Sequence, residues 1–136
     1  MYERILVALK QEESDNAVLQ HAGALALLTG GQVTLVHVVH SHSLDEAAYM
    51  EDQARDYLAQ RAEKLKQRGV RVETRVDRGE AAEVITQLAQ EERADLIVMA
   101  THGHSEMHHV FVGSVTEDVI RGSGIPVLLI RPEARG

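Results

Sequence analysis

The stretch "LIVMA", Leu96–Ala100, decides the fold. Five apolar residues in unbroken succession leave no polar face. A strand built from them must be covered on both sides, as in a parallel sheet flanked by helices. Three further runs share this character: "ILVAL" (residues 5–9), "VTLVHVV" (33–39) and "VLLI" (127–130). A fifth, "VRVETRV" (70–76), alternates apolar and polar residues, which predicts a half-exposed strand at a sheet edge.

Helical patterns fill the intervals. Ala17, Val18, His21, Ala22, Leu25 and Leu28 recur at helical spacing, and "TGG" supplies a glycine stop. The charged stretch "LDEAAYMEDQARDYLAQRAEKLKQRG" carries Met50, Ala54, Tyr57, Leu58, Ala62 and Leu65 on one stripe, with pairs such as Glu51 and Arg55 on its solvated side. Ala81, Val84, Ile85, Leu88 and Ala89 mark a third helix; Val115, Val119 and Ile120 mark a fourth, ended by "GSG".

Strict strand–helix alternation means parallel strands joined by right-handed crossovers. The predicted architecture is a three-layer α/β/α sandwich, Rossmann-like or flavodoxin-like, on a five-stranded parallel sheet of order 3-2-1-4-5. Residues 1–132 form one domain and 133–136 a loose tail. The last strand, "VLLI", would be an edge without a polar face, a surface that invites pairing with another chain. Two readings are open: a homodimer through Val127–Ile130, or a cover supplied by a tail or helix.

Composition narrows the function. The chain has 136 residues and a net charge of −7, which disfavours nucleic acid or an anionic membrane as partner. Three Tyr, one Phe and no Trp leave little to stack on bases. The absence of Cys removes thiolate metal sites and cysteine nucleophiles. No apolar run has the length of a signal peptide core or a membrane span, so the expectation is a soluble, cytoplasmic protein.

The order 3-2-1-4-5 places a topological switch between the first and fourth strands, where open α/β sheets bind ligands at the carboxyl ends. Those ends are Leu9-Lys10 and, after Met99, Ala100-Thr101-His102-Gly103. The following loop closes with "GSVTE". Ser114 there can cap a helix and Glu117 can reach back to it, a capping box, while Gly113 permits close approach to bare backbone. Amides at such a helix start attract phosphate.

From end to end the chain resembles the universal stress protein family. "ILVAL", "VTLVHVV", "ADLIVMATHG", "VGSVTEDVI" and "PVLLIRP" fall in that family's order and spacing. The family pattern of a glycine, two residues, a glycine, nine residues, then glycine and serine or threonine is met at Gly103 and Gly113-Ser114. The resemblance implies an adenine-nucleotide site, for ATP or a relative with or without Mg²⁺, in a dimeric stress sensor or regulator. Ser114, Val115 and Thr116 would meet phosphate and ribose, and the turn from Ala100 to Gly103 with His104, Ser105 and Glu106 would wrap the phosphates. Ala8 and Val38 would lie against the base. Two positions depart from the pattern: Ala100 stands where the first glycine belongs, and Lys10 where nucleotide-binding members carry aspartate. The corresponding alternative is a member that binds no nucleotide and serves as a protein-interaction scaffold.

His102, His104, His108 and His109 offer imidazoles that suit Zn²⁺ or Ni²⁺, although they form no recognisable ligand motif. A metal-handling role is therefore a third reading, and His37 is expected to be a hydrogen-bonded structural histidine. No nucleophile–base–orienter set, GxSxG elbow or P-loop lysine is legible, so the expectation is a binding protein and not an enzyme.

Overall fold

A computed structural model describes residues 1–101 and 113–132. Among these residues nine elements alternate: β1 (Arg4–Ala8), α1 (Asp15–Thr29), β2 (Gln32–Val39), α2 (Leu44–Gln67), β3 (Arg71–Arg78), α3 (Ala81–Glu91), β4 (Leu96–Ala100), α4 (Ser114–Ser123) and β5 (Val127–Ile130). The strands form one parallel sheet of order β3-β2-β1-β4-β5, as the apolar runs predict. Ile5 of β1 sits in register with Val33 on one side and Leu96 on the other, so the central strand is hydrogen-bonded along both edges.

The period-two alternation of strands sorts the core into two layers. Ile5, Val7, Val33, Leu35, Leu96 and Val98 face α1 and α2, where they meet Val18, Ala22, Leu58 and Leu65. Leu6, Val36, Ile97 and Met99 face α3 and α4, where they meet Ile85, Leu88 and Val119. Both faces of the central strands are therefore dry, which is why their sequences carry no polar stripe.

Helix α1 buries the expected stripe in part: Val18 and Ala22 are in the core and Ala17 and Leu25 pack against it. Val18, Leu19, Ala22, Gly23 and Ala26 are buried, whereas His21 is exposed and Leu28 is 85% exposed. Gly23 contributes to this: a Cβ there would lie 2.9 Å from Leu65 Cδ2, so the Leu65 side chain of α2 is seated against bare backbone of α1. Gly30 ends α1 in the left-handed conformation with φ 73°, its amide donating to the Ala26 carbonyl.

Helix α2 starts on a side-chain cap, Ser43 Oγ accepting from Glu46 N at 3.3 Å. The Glu51–Arg55 pair forms at 3.8 Å, and Arg78 Nε of β3 also donates to Glu51, at 2.7 Å. Edge strand β3 shows the expected half-exposed pattern. On the opposite edge, β5 keeps Ile130 buried but leaves Leu128 37% exposed.

Candidate functional site

Beyond their carboxyl ends, β1 leads to a helix on one face of the sheet and β4 precedes one on the other. This divergence opens a cleft of about 400 Å³, a size typical of small-molecule sites. Its floor is apolar. Ala8, Val36, Val38 and Met99 rise from the sheet, and Ala81 and Ile85 approach from α3. Its rim is polar, with Lys10, Glu12 and His37 on one side and residues 113–116 on the other. A second hollow, beside Arg4 and Glu92 at the far end of the sheet, measures about 10 Å³ and holds at most one water.

The α4 wall differs from the expected capping box. Gly113, with extended backbone at φ −62° and ψ 164°, occupies the N-cap position, and Ser114 is already the first helical residue. Glycine has no side chain to offer, so the box is not formed, and Glu117 N instead donates to the Gly113 carbonyl at 3.1 Å. The amides of the first turn have no intrahelical acceptor and carry the positive end of the helix dipole toward the cleft.

His37 Nδ1 lies 2.8 Å from the Leu9 carbonyl. A carbonyl only accepts, so Nδ1 holds the hydrogen of this bond. The ring is hydrogen-bonded, as expected of a structural histidine, and it also forms part of the cleft. Lys10 has no carboxylate within ion-pair distance among the described residues.

The loop bearing Lys10 is shaped by a residue whose importance the sequence did not disclose. Asp15 is 1% exposed, and its carboxylate accepts from Lys10 N at 2.9 Å, Gln11 N at 2.8 Å and Glu12 N at 3.4 Å. Tyr57 of α2 donates its hydroxyl to Asp15 Oδ2 at 2.7 Å. Burial, and then this bond to a carboxylate, push the Tyr57 phenol up to about 12. The Arg61 guanidinium lies over the Tyr57 ring, 4.7 Å from its centre. An acid in the first turn of α1 is visible in "KQEESDN"; its complete burial is not.

The structure thus brings together Ala8, Lys10, Val38, Met99, Gly113, Ser114, Val115 and Thr116. Leu9, at the strand end where the topology puts a site, lines it too, and the structure adds Glu12, Val36, His37, Ala81 and Ile85, which sequence reasoning did not assign to a site. Ala100 is not among the lining residues: its methyl packs into the core on the α1/α2 side of the sheet. Thr101 is buried as well, its amide bonded to the Ile130 carbonyl at 2.8 Å, while its Oγ1 finds no partner among the described residues. His102, Gly103, His104, Ser105, Glu106, His108 and His109 lie outside the described residues. Among the described residues no group of three or more metal-ligating side chains comes together, and no helix is long and apolar enough to cross a membrane.

Known proteins share both sequence and geometry. The model of the universal stress protein family matches residues 1–131. Universal stress protein MJ0577 of Methanocaldococcus jannaschii is 26% identical over 96% of each chain. Its solved structure superposes with a TM-score of 0.83 at 27% identity, covering 99% of both chains. Universal stress protein YxiE of Bacillus subtilis is 31% identical over 92% of this chain and 85% of its own. An Archaeoglobus fulgidus universal stress protein, solved in complex with dAMP, superposes with a TM-score of 0.74 at 27% identity, covering 95% of this chain and 98% of its own. On the strength of the family match and of these shared folds, the chain belongs to the universal stress protein family.

Proposed function

We propose that the cleft binds an adenine nucleotide and that the protein acts as a cytoplasmic stress-response sensor or regulator, not as an enzyme. One observation carries this reading: an apolar floor suited to a flat base faces the positive end of α4 across a single cleft. The dAMP complex of the Archaeoglobus relative supports it. Ser114, Val115 and Thr116 would receive the phosphate side of the ligand, Ala8 and Val38 the base. Residues 102–106 would complete the enclosure. Ala100 is compatible with this despite replacing a glycine, because its methyl points away from the cleft.

A thermal shift assay with AMP, ADP and ATP, each with and without Mg²⁺, tests the reading. A ligand at a hundredfold excess over its Kd stabilises by about 2.7 kcal/mol. For a chain of 136 residues this raises the melting midpoint by about 10 °C. A flat response to all three nucleotides would favour the scaffold reading, for which Lys10 at the rim is the specific support. A response to Zn²⁺ alone, reversed by chelation, would favour the histidine loop.

The apolar β5 edge supports pairing of two copies through Val127–Ile130, with Leu128 at its exposed centre. Sedimentation of the Leu128→Lys variant tests this: a shift from dimer to monomer is expected, and an unchanged dimer would refute pairing there.

A further inference from the structure

The lip of the cleft is held from the layer opposite the one that forms the floor. Ala8, Val36, Val38 and Met99 look toward α3 and α4, yet the loop carrying Lys10 and Glu12 hangs on Asp15 and, through it, on α2. Asp15 Oδ2 gathers three donors, Gln11 N, Glu12 N and the Tyr57 hydroxyl, while Oδ1 takes Lys10 N. No basic side chain pairs with Asp15 among the described residues, so hydrogen-bond donors alone satisfy its buried charge. Gln11 adopts a left-handed φ of 58°, a conformation that a side-chain-bearing residue holds only under constraint, and the bond at its amide supplies one.

We propose that Asp15 and Tyr57 are positioning residues of the cleft: their hydrogen bond locks the lip to helix α2, so that docking of α2 and occupancy of the cleft are coupled. The part concerning occupancy rests on the nucleotide reading. Removing the Tyr57 hydroxyl leaves Asp15 with one donor fewer and frees the lip to sample shapes that do not close on a ligand. Coupling is reciprocal, so a ligand that holds Lys10 and Glu12 also strengthens the grip of α2. Helix α2 thereby becomes the element through which an event at its outer surface reaches the site.

The experiment compares Tyr57→Phe with the isosteric Asp15→Asn, and uses Tyr49→Phe as a control. Tyr49 is on the same helix but exposed, its hydroxyl accepting from Gln53. Amide exchange at Lys10, Gln11 and Glu12 is read against that of Leu96–Ala100, and AMP affinity is measured by calorimetry. In Tyr57→Phe the lip amides should exchange about tenfold faster, the size expected for loss of one hydrogen bond to a charged group, with β4 unchanged. AMP affinity should fall by about threefold to tenfold, since part of that freedom is lost again on binding. Asparagine at position 15 presents N–H in place of one accepting carboxylate oxygen and lacks the charge, so both effects should be larger there; Tyr49→Phe should show neither. In the wild type AMP should slow exchange at the lip. A purely structural Asp15–Tyr57 bond would instead speed exchange in β4 and the lip together, and that result, or unchanged lip exchange in a folded Tyr57→Phe, overturns the proposal. Should Asp15→Asn fail to fold, Tyr57→Phe decides. Should wild-type protein bind no AMP, the nucleotide reading falls, while the exchange measurements still decide the lock itself.

Discussion

Replacing Gln11 by glycine should stabilise the protein, although it deletes an exposed side chain. Gln11 has a φ of 58°, where the Cβ of an L-residue crowds the following carbonyl at a cost of about 1–2 kcal/mol. Glycine removes that cost, but the unfolded chain gains freedom that offsets about 0.4–1 kcal/mol of it. The amide of residue 11 keeps its 2.8 Å bond to Asp15 Oδ2 in either case, so the lip retains its course. The net gain is about 0.5–1 kcal/mol; with an unfolding entropy near 2.1 cal/mol/K per residue, the midpoint rises by about 2–4 °C. Urea unfolding followed by circular dichroism should show a higher midpoint concentration at unchanged slope. Gln11→Ala serves as the control, because alanine keeps a Cβ and therefore the strain. A lower midpoint for Gln11→Gly, or an equal gain for Gln11→Ala, would refute the reasoning.

Three further outcomes follow from the same geometry. Tyr57 should titrate at about 12 instead of 10.0, so its contribution to stability is complete below pH 10 and lost as pH rises through 12. Ultraviolet difference absorbance checks this, with Asp15→Asn expected to bring the transition back toward that of an ordinary tyrosine. Leu88→Ala, at a site 1% exposed between α3 and the sheet, should cost about 2–5 kcal/mol in the unfolding free energy measured in urea. Gly31→Ala should be more damaging than Gly30→Ala. A Cβ at residue 31 would lie 2.5 Å from the Tyr2 carbonyl oxygen, whereas at residue 30 it meets nothing within 4 Å and only the left-handed φ of 73° opposes it. Melting midpoints of the two variants should separate accordingly, and equal midpoints would contradict this account.

The sheet was legible because its central strands are apolar on both faces. Leu96–Ala100 and Val127–Ile130 coincide with the strands observed, and the alternating stretch before Val76 lies at the edge it was expected to occupy. Helix faces were less legible. In α1 the packing stripe runs through Val18, Ala22, Gly23 and Ala26, with Leu65 of α2 seated against Gly23, and leaves out the larger His21 and Leu28. The start of α4 was misjudged by one residue because a serine followed by glutamate resembles a capping box whichever residue takes the cap. Half of the cleft was foreseeable, since Lys10, Ala8 and Gly113 lie at strand and helix ends that the topology brings together. The contributions of Ala81 and Ile85 were not, because a helix position facing a void has the same spacing as one facing a filled core. The burial of Asp15 was equally hidden: its partners include a tyrosine 42 residues away.

The cleft owes its existence to the way the chain winds, with the helices that follow the neighbouring strands β1 and β4 lying on opposite faces of the sheet, and not to any one residue along its walls. An inherited hollow of this kind lets a lineage exchange one guest molecule for another, or dismiss its guest altogether, by editing a few positions at the brim. The interior that keeps the protein folded would need no revision. Lys10 occupies such a brim position, and swapping it is a route to re-targeting the molecule by design that leaves every buried strand residue alone.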